Sequence, residues 1–399
     1  MAEIRVAANG ALFGLEEMHR SRRQGVQAGS LGERFRAILA ASETATEQRR
    51  HYFTRPEGDF TEPQWVFDAP RDRAFAQPDH PAFARTLSVF TQEWVGIRAA
   101  AGSFSGMKLA ISKQAAWTAP ELRRVFQRLQ AARIETVVCH GASSSVLDFL
   151  QALRIAMPEL TIVGVWHGTL AAWSSDEEHA LASRFLDLAT NGVFDRISLL
   201  RRGMYLLHPK AVTYLTPNLP PSVDVKRLAP AMSSLPLTCI FAGWNNQWKN
   251  MYANLVAASS SACVGRVLSY AAASLPAPLG AKLDTLPYGT RRQHLVTLSG
   301  ADLALNVTTV DCHPMIELEA IAVGTPVLRG QLDLDFGGDH AYSRLLTVES
   351  PLDPVAIRER LEAVAQVPAG ELSDIVADYR RTVIETAFAR YGEFLKGAR

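Results

Sequence analysis

The chain has 399 residues, 48% of them hydrophobic and 20% charged, so it can bury the core of one large domain or of two smaller ones. Its formal net charge of +1 gives no overall preference for polyanions, and its four cysteines lack the spacing of a metal site or a disulfide framework. The sequence has no run of ~20 apolar residues and no signal-peptide pattern at its start. We therefore expect a cytoplasmic protein without a transmembrane segment, for which peripheral membrane contact stays open.

The first hundred residues carry the weakest patterns. The apolar run Ile4–Ala8 predicts a first strand. The basic run His19–Arg23 is typical of a solvated helix face. Thr86–Ala100 predicts a helix that turns Trp94 inwards.

From residue 107 onwards, predicted strands alternate with predicted helices, which indicates a doubly wound parallel sheet. His140 and His167 each follow a predicted strand directly, and α/β sheets bind ligands at that edge. Either side chain could donate a hydrogen bond to a phosphate or a sugar hydroxyl. The strands are expected at Met107–Ile111, Thr136–Cys139, Leu160–Trp166 and Ala211–Leu215, and the helices at Pro120–Ala132, Val146–Ala156 and Ser174–Asp195.

Residues 223–236 contain two prolines and two serines and have no apolar period, so we interpret them as a linker. A second sheet is expected to begin at Thr238–Ala242, and Gly243 and Lys249-Asn250 follow this strand. Further strands are predicted at Val264–Tyr270, Leu295–Leu298 and Leu345–Val348, and a long final helix at Ser373–Leu395.

The segment from 301 to 330 carries the clearest functional pattern. A strand at Leu303–Asn306 leads through a polar loop into a helix that starts at Met315. The first N–H groups of that helix, at Met315 and Ile316, have no partner within it and can bind phosphate. Asp311 and Glu319 lie beside this position. A carboxylate repels phosphate but accepts hydrogen bonds from hydroxyl groups, so the pattern favours a nucleotide-sugar as ligand.

These residues resemble a known signature. Asp311, followed by Leu318-Glu319-Ala320 and then by AVGTPV at 322–327, is similar to the E-x7-E and LEA-x-A-x-G-T-P-V motifs of retaining family-four glycosyltransferases. Asp311 stands at the place of the first glutamate, and His313 lies where the family is commonly rich in glycine. Lys249-Asn250 resembles the end of the family's G-R-x4-K segment, which begins here at Gly243 with Trp244 at the place of the arginine.

The resemblance implies the α/β fold called GT-B, in which two Rossmann-like domains face a cleft. The domains would be residues 1–222 and 237–372, joined by 223–236, with 373–399 as a helix that packs back on the first domain. It also implies that Asp311 and His167 position the donor sugar and that Glu319 holds the ribose. Lys249, Asn250, Gly243 and the helix start at Met315 and Ile316 would bind the diphosphate, and His313 and His140 would also contact the donor.

The implied reaction is transfer of a sugar, with retention of configuration, from a nucleoside diphosphate sugar such as a UDP-sugar. It needs no metal and no further cofactor. The acceptor stays open among a glycan, a lipid-linked sugar, a protein and a modified DNA base. Three alternatives are a nucleotide-sugar epimerase, a non-catalytic nucleotide-sugar-binding GT-B protein, and a regulator that contacts nucleic acid through His19–Arg23 and Arg291-Arg292.

Overall fold

Two six-stranded β-sheets, each covered by helices, organise the part of the chain that the structure describes. The structure is a computed structural model that describes residues 64–225, 227, 236–245 and 247–396. The predicted strand at Ile4–Ala8 and the basic run His19–Arg23 lie outside these residues. Both sheets belong to one compact unit, residues 58–399.

The first sheet has the strand order β1-β3-β2-β4-β5-β6 and is parallel except for β1, which pairs antiparallel with β3 at the edge. Its strands are β1 (Trp65–Phe67), β2 (Thr86–Thr91), β3 (Met107–Ile111), β4 (Thr136–His140), β5 (Thr161–Trp166) and β6 (Arg196–Leu199). Its helices are α1 (Pro70–Arg73), α2 (Val95–Ser103), α3 (Ala119–Ala131), α4 (Ser144–Ala156) and α5 (Asp176–Thr190).

The second sheet is parallel throughout, with the order β12-β11-β10-β7-β8-β9. Its strands are β7 (Leu237–Phe241), β8 (Val264–Ser269), β9 (Leu283–Thr285), β10 (Leu303–Asn306), β11 (Val327–Gly330) and β12 (Thr347–Val348). The helices that follow or separate them are α6 (Met251–Ser260), α7 (Arg291–Ser299), α8 (Met315–Ala322), α9 (Ala341–Leu346), α10 (Pro354–Val364) and α11 (Ala369–Leu395).

The prediction of a helix at Thr86–Ala100 is wrong for its first half. Every residue of Thr86–Thr91 is buried, because β2 lies between β3 and β4 in the middle of the first sheet. A strand that is covered on both faces reads as a continuous apolar run, which periodicity cannot distinguish from a buried helix. The helix begins only at Val95, and Trp94 is its N-cap residue, partly buried against the core of the first sheet.

Two predicted strands are also absent. Leu295–Leu298 belongs to α7, whose start is fixed by a capping box in which Thr290 and Gln293 exchange hydrogen bonds. Ala211–Leu215 forms only an isolated bridge between Ala211 and Ile197. The segment then leaves the sheet, because the Leu215 N–H donates to the Asp335 carboxylate instead of to a neighbouring strand. The sequence pattern does not predict β6.

Each sheet has one switch point, where the order of its strands along the chain reverses and where α/β sheets bind ligands. In the first sheet it lies between β2 and β4, so His140 stands at its carboxyl edge. In the second sheet it lies between β7 and β10. The segments after these two strands carry Gly243, Lys249 and Asp311.

Helix α11 contacts both sheets. Its first half, with Leu372, Val376 and Tyr379, packs into the core of the second sheet. Its last turns, with Tyr391 and Phe394, join an apolar cluster with residues of β4 and β5. Among the described residues, no helix is both long and apolar enough to cross a membrane.

Candidate functional site

The switch point of the second sheet carries an ion pair. The Lys249 Nζ lies 2.6 Å from Asp311 Oδ2, and both side chains are mostly buried. Lys249 comes from the loop after β7 and Asp311 from the loop after β10, so the two central strands bring together residues 62 positions apart. The pair places one cation and one anion where a ligand of this sheet would bind.

Asparagine side chains hold the loop that carries Asp311. The Asn254 amide accepts from the Val307 N–H at 3.1 Å and donates to the Val307 carbonyl at 3.0 Å. Asn250, predicted as a ligand-binding residue, also donates to that carbonyl at 3.2 Å and has a left-handed backbone with φ of 53°. The side chain of Asn250 therefore positions the loop that bears Asp311.

Glu319 is buried on α8 and has two partners, the guanidinium of Arg291 and the imidazole of His294. The Arg291 Nε lies 2.8 Å from Oε1, and the His294 Nε2 lies 3.4 Å from Oε2. Burial raises the pKa of Glu319, but the charge of Arg291 and the hydrogen bond from His294 outweigh it, so the net pKa shift is downwards. The carboxylate is therefore ionised at neutral pH, and its two oxygens already face Arg291 and His294.

Aromatic rings lie next to this carboxylate, at the carboxyl ends of β7, β8 and β9. Trp244 and Tyr288 have ring centroids 5.4 Å apart, and Tyr288 stacks on Tyr270 at 5.4 Å and 20°. Tyr270 is linked to Glu319 through His294, whose Nδ1 lies 3.1 Å from the Tyr270 hydroxyl. Planar groups such as nucleobases stack on rings of this kind.

Helix α8 begins at the same edge. Its N-cap is Pro314, and the Glu317 N–H bonds to the Pro314 carbonyl at 3.1 Å, which leaves Met315 and Ile316 with the two leading N–H groups. Glu317 itself points away into the core and pairs with the buried Arg329. At the start of α8, the groups that could meet an anion are therefore backbone N–H groups, and the Glu317 side chain takes no part.

The three predicted histidines lie close together but are shielded from water. The His140 and His167 ring centroids are 5.7 Å apart, and His140 also stacks on Phe104. The His167 side chain is half-buried, but its Nε2 atom is fully covered. One ring nitrogen of each histidine has no hydrogen-bond partner among the described residues: His140 Nδ1, His167 Nε2 and His313 Nε2. Burial lowers the pKa of His167 and of His313 to about 3 and that of His140 well below its usual value, so all three are neutral.

Loops of the two sheets touch at this place. The Cys312 thiol donates to the His167 carbonyl at 3.0 Å, and the Asn218 amide donates to the His313 carbonyl at 2.8 Å. Arg201, just after β6, donates to the Asp311 carbonyl at 3.0 Å and pairs with Asp333. The loop of Asp311 is thus held from both sheets.

Trp244 stands where the family has an arginine, and two other arginines of the second sheet, Arg266 and Arg329, do not replace it. Arg266 pairs with Asp284 on the surface, and Arg329 is buried against Glu317. Arg201, Arg291 and His294 are the charged or titratable neighbours that sequence reasoning missed. A basic residue straight after a strand was the only signal for Arg201, and the helix start at Thr290 the only signal for Arg291.

Two other predictions bear on the site. Arg292 pairs with Asp224 at 3.1 Å and Arg291 with Glu319, so the basic pair is engaged within the molecule. A Cβ on Gly243 would lie 2.7 Å from the Phe241 ring, which leaves space only for glycine at this turn unless that ring moves. In the described part of the chain, no group of three or more His, Cys, Asp or Glu side chains is placed to hold a metal ion.

Comparison with known proteins identifies structures with a similar fold but no protein of similar sequence. No protein-family model and no curated protein matches the chain. A trehalose-6-phosphate synthase is 12% identical, covers 79% of this chain and 99% of its own, and has a TM-score of 0.50. A UDP-forming α,α-trehalose-phosphate synthase from Burkholderia vietnamiensis is 10% identical, with coverages of 78% and 98% and a TM-score of 0.50.

A sucrose-phosphate synthase from Thermosynechococcus elongatus gives the same score of 0.50 at 13% identity, covering 78% of this chain and 98% of its own. At these identities the likeness concerns the fold alone. Two parallel-sheet α/β units in one chain, arranged as in these enzymes, confirm the predicted GT-B fold.

Proposed function

We propose that the chain is a glycosyltransferase that takes its sugar from a nucleoside diphosphate sugar. The observation that carries this proposal is the arrangement at the switch point of the second sheet. There a cation, Lys249, pairs with one carboxylate, Asp311, and the helix α8, which starts four residues after Asp311, carries a second carboxylate, Glu319. A diphosphate needs the cation and the start of the helix, and the hydroxyls on either side of it need the two carboxylates.

In this proposal, the diphosphate binds to Lys249 and to the N–H groups of Met315 and Ile316. These groups stabilise the charge that develops on the leaving phosphate when the glycosidic bond breaks. Gly243 allows the backbone to approach the phosphates closely. The Lys249–Asp311 ion pair separates on binding, because the phosphate takes over the ammonium group.

Asp311 is then free to accept a hydrogen bond from a hydroxyl of the donor sugar. His167 and His140, which are neutral and have unsatisfied ring nitrogens, are proposed to position the same sugar from the first sheet, together with His313. Neutral imidazoles suit this role because they exchange hydrogen bonds with hydroxyls without adding charge.

Glu319 is proposed to accept the ribose hydroxyls, which requires Arg291 to yield at least one carboxylate oxygen. The rings of Tyr288 and Trp244 provide a flat surface for the base beside it. The three solved neighbours are all named as sugar-phosphate-forming synthases, and one as UDP-forming, which supports a UDP-sugar as the first donor to test. Retention, the absence of a metal requirement and the boundaries 1–222, 223–236, 237–372 and 373–399 belong to the same proposal.

A second candidate is a GT-B protein that binds a nucleotide-sugar without transferring the sugar. It is favoured by one observation: each carboxylate of the site already has a cationic partner, Lys249 or Arg291. A site that must break two ion pairs to bind its ligand can lose turnover and keep binding.

The test is calorimetric titration with UDP-, GDP-, ADP- and dTDP-sugars, followed by analysis of the sugar released or rearranged. We expect one nucleotide to bind preferentially, slow donor hydrolysis, and loss of both in Glu319→Gln. Lys113→Met, an exposed change on the first sheet, is the control and should behave as the parent.

Binding without any product in the presence of acceptors would favour the second candidate. An epimerised nucleotide-sugar as product would favour the epimerase. No binding of any donor, with parent and Glu319→Gln alike, would refute the transferase, the binding protein and the epimerase.

A further inference from the structure

A cavity of about 450 Å³ opens beside Asp311, outside the positions assigned to the diphosphate and the ribose. Its walls are the segments that follow β5 and β6, with Leu170, Ala171, Arg202 and Met204, and Val310 from the loop of the second sheet. Its volume is that of a small-molecule site. Because it borders the residue next to Asp311, it lies on the acceptor side of the proposed reaction.

The walls of this cavity are mainly apolar, and part of that apolar surface faces water. Leu170, which lines the cavity, is 50% exposed. A large apolar side chain that lines a pocket and stays partly in water is typical of a binding surface.

One arginine at the cavity is available to a ligand. Arg201 is engaged with the Asp311 carbonyl and with Asp333. Arg202 is exposed and makes no hydrogen bond or ion pair with any described residue. A guanidinium group binds phosphate with two parallel hydrogen bonds. The cavity therefore offers an apolar wall and one charged group at its mouth.

A free sugar does not fit this lining. Carbohydrate hydroxyls need several polar side chains, whereas the cavity supplies Thr169 and the two arginines beside aliphatic groups. A phosphate that carries an apolar chain satisfies both parts: the phosphate pairs with Arg202, and the chain covers Leu170, Met204 and Val310.

We propose that this cavity binds an amphiphilic phosphate, that is, an alkyl or isoprenoid chain that bears a phosphate group. Calling this ligand the acceptor rests on the proposed function, whereas the binding itself does not. The proposal narrows the acceptor to a lipid-linked class among the four that the sequence leaves open.

The test uses three probes below their micelle concentrations: decyl phosphate, decyl glucoside with the same chain but no charge, and glucose 6-phosphate with the same charge but no chain. We expect decyl phosphate to bind at least tenfold more tightly than either of the others. Arg202→Gln should weaken decyl phosphate on the order of tenfold and leave decyl glucoside unchanged, because only the charged contact is lost. Leu170→Ser should weaken both decyl compounds, because Leu170 lines the cavity.

Two matched variants control for general surface effects. Ile155→Ser removes a leucine-sized side chain that is 78% exposed on the far helix α4, and Arg123→Gln removes an exposed arginine from α3. Both should bind decyl phosphate as the parent does.

Equal binding of glucose 6-phosphate and decyl phosphate, both weakened by Arg202→Gln, would overturn the proposal in favour of a soluble sugar phosphate. Binding of decyl phosphate that neither Arg202→Gln nor Leu170→Ser changes would also overturn it, because the amphiphile would then bind elsewhere. Nucleotide affinity is measured on each sample, so failure of the donor site appears separately from failure of this one.

Discussion

At the switch point of the first sheet, His140 lies among aromatic rings and its Nδ1 has no partner among the described residues. At the switch point of the second sheet, Lys249 and Asp311 neutralise each other at 2.6 Å. The same strand arrangement therefore carries neutral, unsatisfied polar groups in one half and mutually satisfied charges in the other. A buried polar atom without a partner costs roughly 1–3 kcal/mol, so the first site gains from a ligand that supplies hydroxyls. The second gains only from a ligand that replaces one charge by another.

The largest expected effect concerns the charged half. Replacing Arg329 by Leu leaves Glu317 ionised or protonated in a dry core without its partner, and we expect a loss of roughly 3–5 kcal/mol in the free energy of unfolding. Chemical denaturation of the variant measures it. Arg266→Leu, which breaks the exposed pair with Asp284, should cost at most about 1 kcal/mol. Equal losses of free energy of unfolding in both variants would show that burial does not determine how much an ion pair contributes to stability.

The ion pair at the second switch point should decide nucleotide affinity. Lys249→Met is expected to weaken binding of the preferred nucleoside diphosphate on the order of 10- to 100-fold, because a charge-assisted hydrogen bond is lost. Asp311→Asn should strengthen it, because the ammonium no longer has a competing carboxylate. Calorimetric titration of both variants tests this. Unchanged affinity in Lys249→Met would move the phosphate site away from this residue.

The buried neutral histidines should make the protein sensitive to acid, and His313 in the loop after β10 is the clearest case. The pKa of His313 is about 3 in the fold and near 6.5 in the unfolded chain, so the unfolded state binds more protons between these values. Above about pH 6.5, His313 therefore does not lower the free energy of unfolding. Below that pH the free energy of unfolding falls, by about 2 kcal/mol for this group at pH 5. His313→Asn keeps an acceptor for the Asn218 N–H and should reduce the dependence on pH.

The free energy of unfolding measured at pH 7 and pH 5 tests this prediction. His179→Asn, at an exposed position, should show the full pH dependence of the parent. If His313→Asn shows it too, other groups cause the acid sensitivity.

The smallest effect is expected from Lys108, which is buried on β3 and donates to the carbonyls of Phe104, Ser105 and Gly106. Burial lowers its pKa from 10.5 to about 7, so the unfolded chain binds more protons between these two values. Stability should therefore rise with pH in this range, by about 1 kcal/mol from pH 7 to pH 8. Denaturation curves of Lys108→Met should lack this rise, whereas those of Lys113→Met should keep it.

Part of the fold could be predicted from local pattern alone. β10 and the start of α8 were predicted to the residue, because a short apolar run, a proline and a helix-forming segment follow one another there. The strand β2 was predicted as a helix, and part of the helix α7 was predicted as a strand. Both are short apolar segments, so the apolar pattern does not distinguish the two structures. Burial on both faces makes β2 a strand, and a capping box makes α7 a helix.

The candidate site divides in the same way. The spacing of Asp311 and Glu319 could be read along the chain, because one loop and one helix carry both residues. Their partners could not, because Arg201 and Arg291 come from distant elements and meet the acids only when strands β6, β7 and β10 are in place. The tertiary fold alone determines which charges are compensated.

The Lys249–Asp311 ion pair can be replaced by an ion pair between Lys249 and a phosphate. Its net charge is close to zero, so it attracts a diphosphate from a distance only weakly, and the association rate should depend little on salt. In the proposed reaction, affinity arises at contact, when the phosphate displaces the carboxylate from the ammonium group. Asp311 becomes available to the sugar only once the diphosphate is bound. Binding of the diphosphate and release of the carboxylate would then be one event, which would couple recognition of the donor to its alignment.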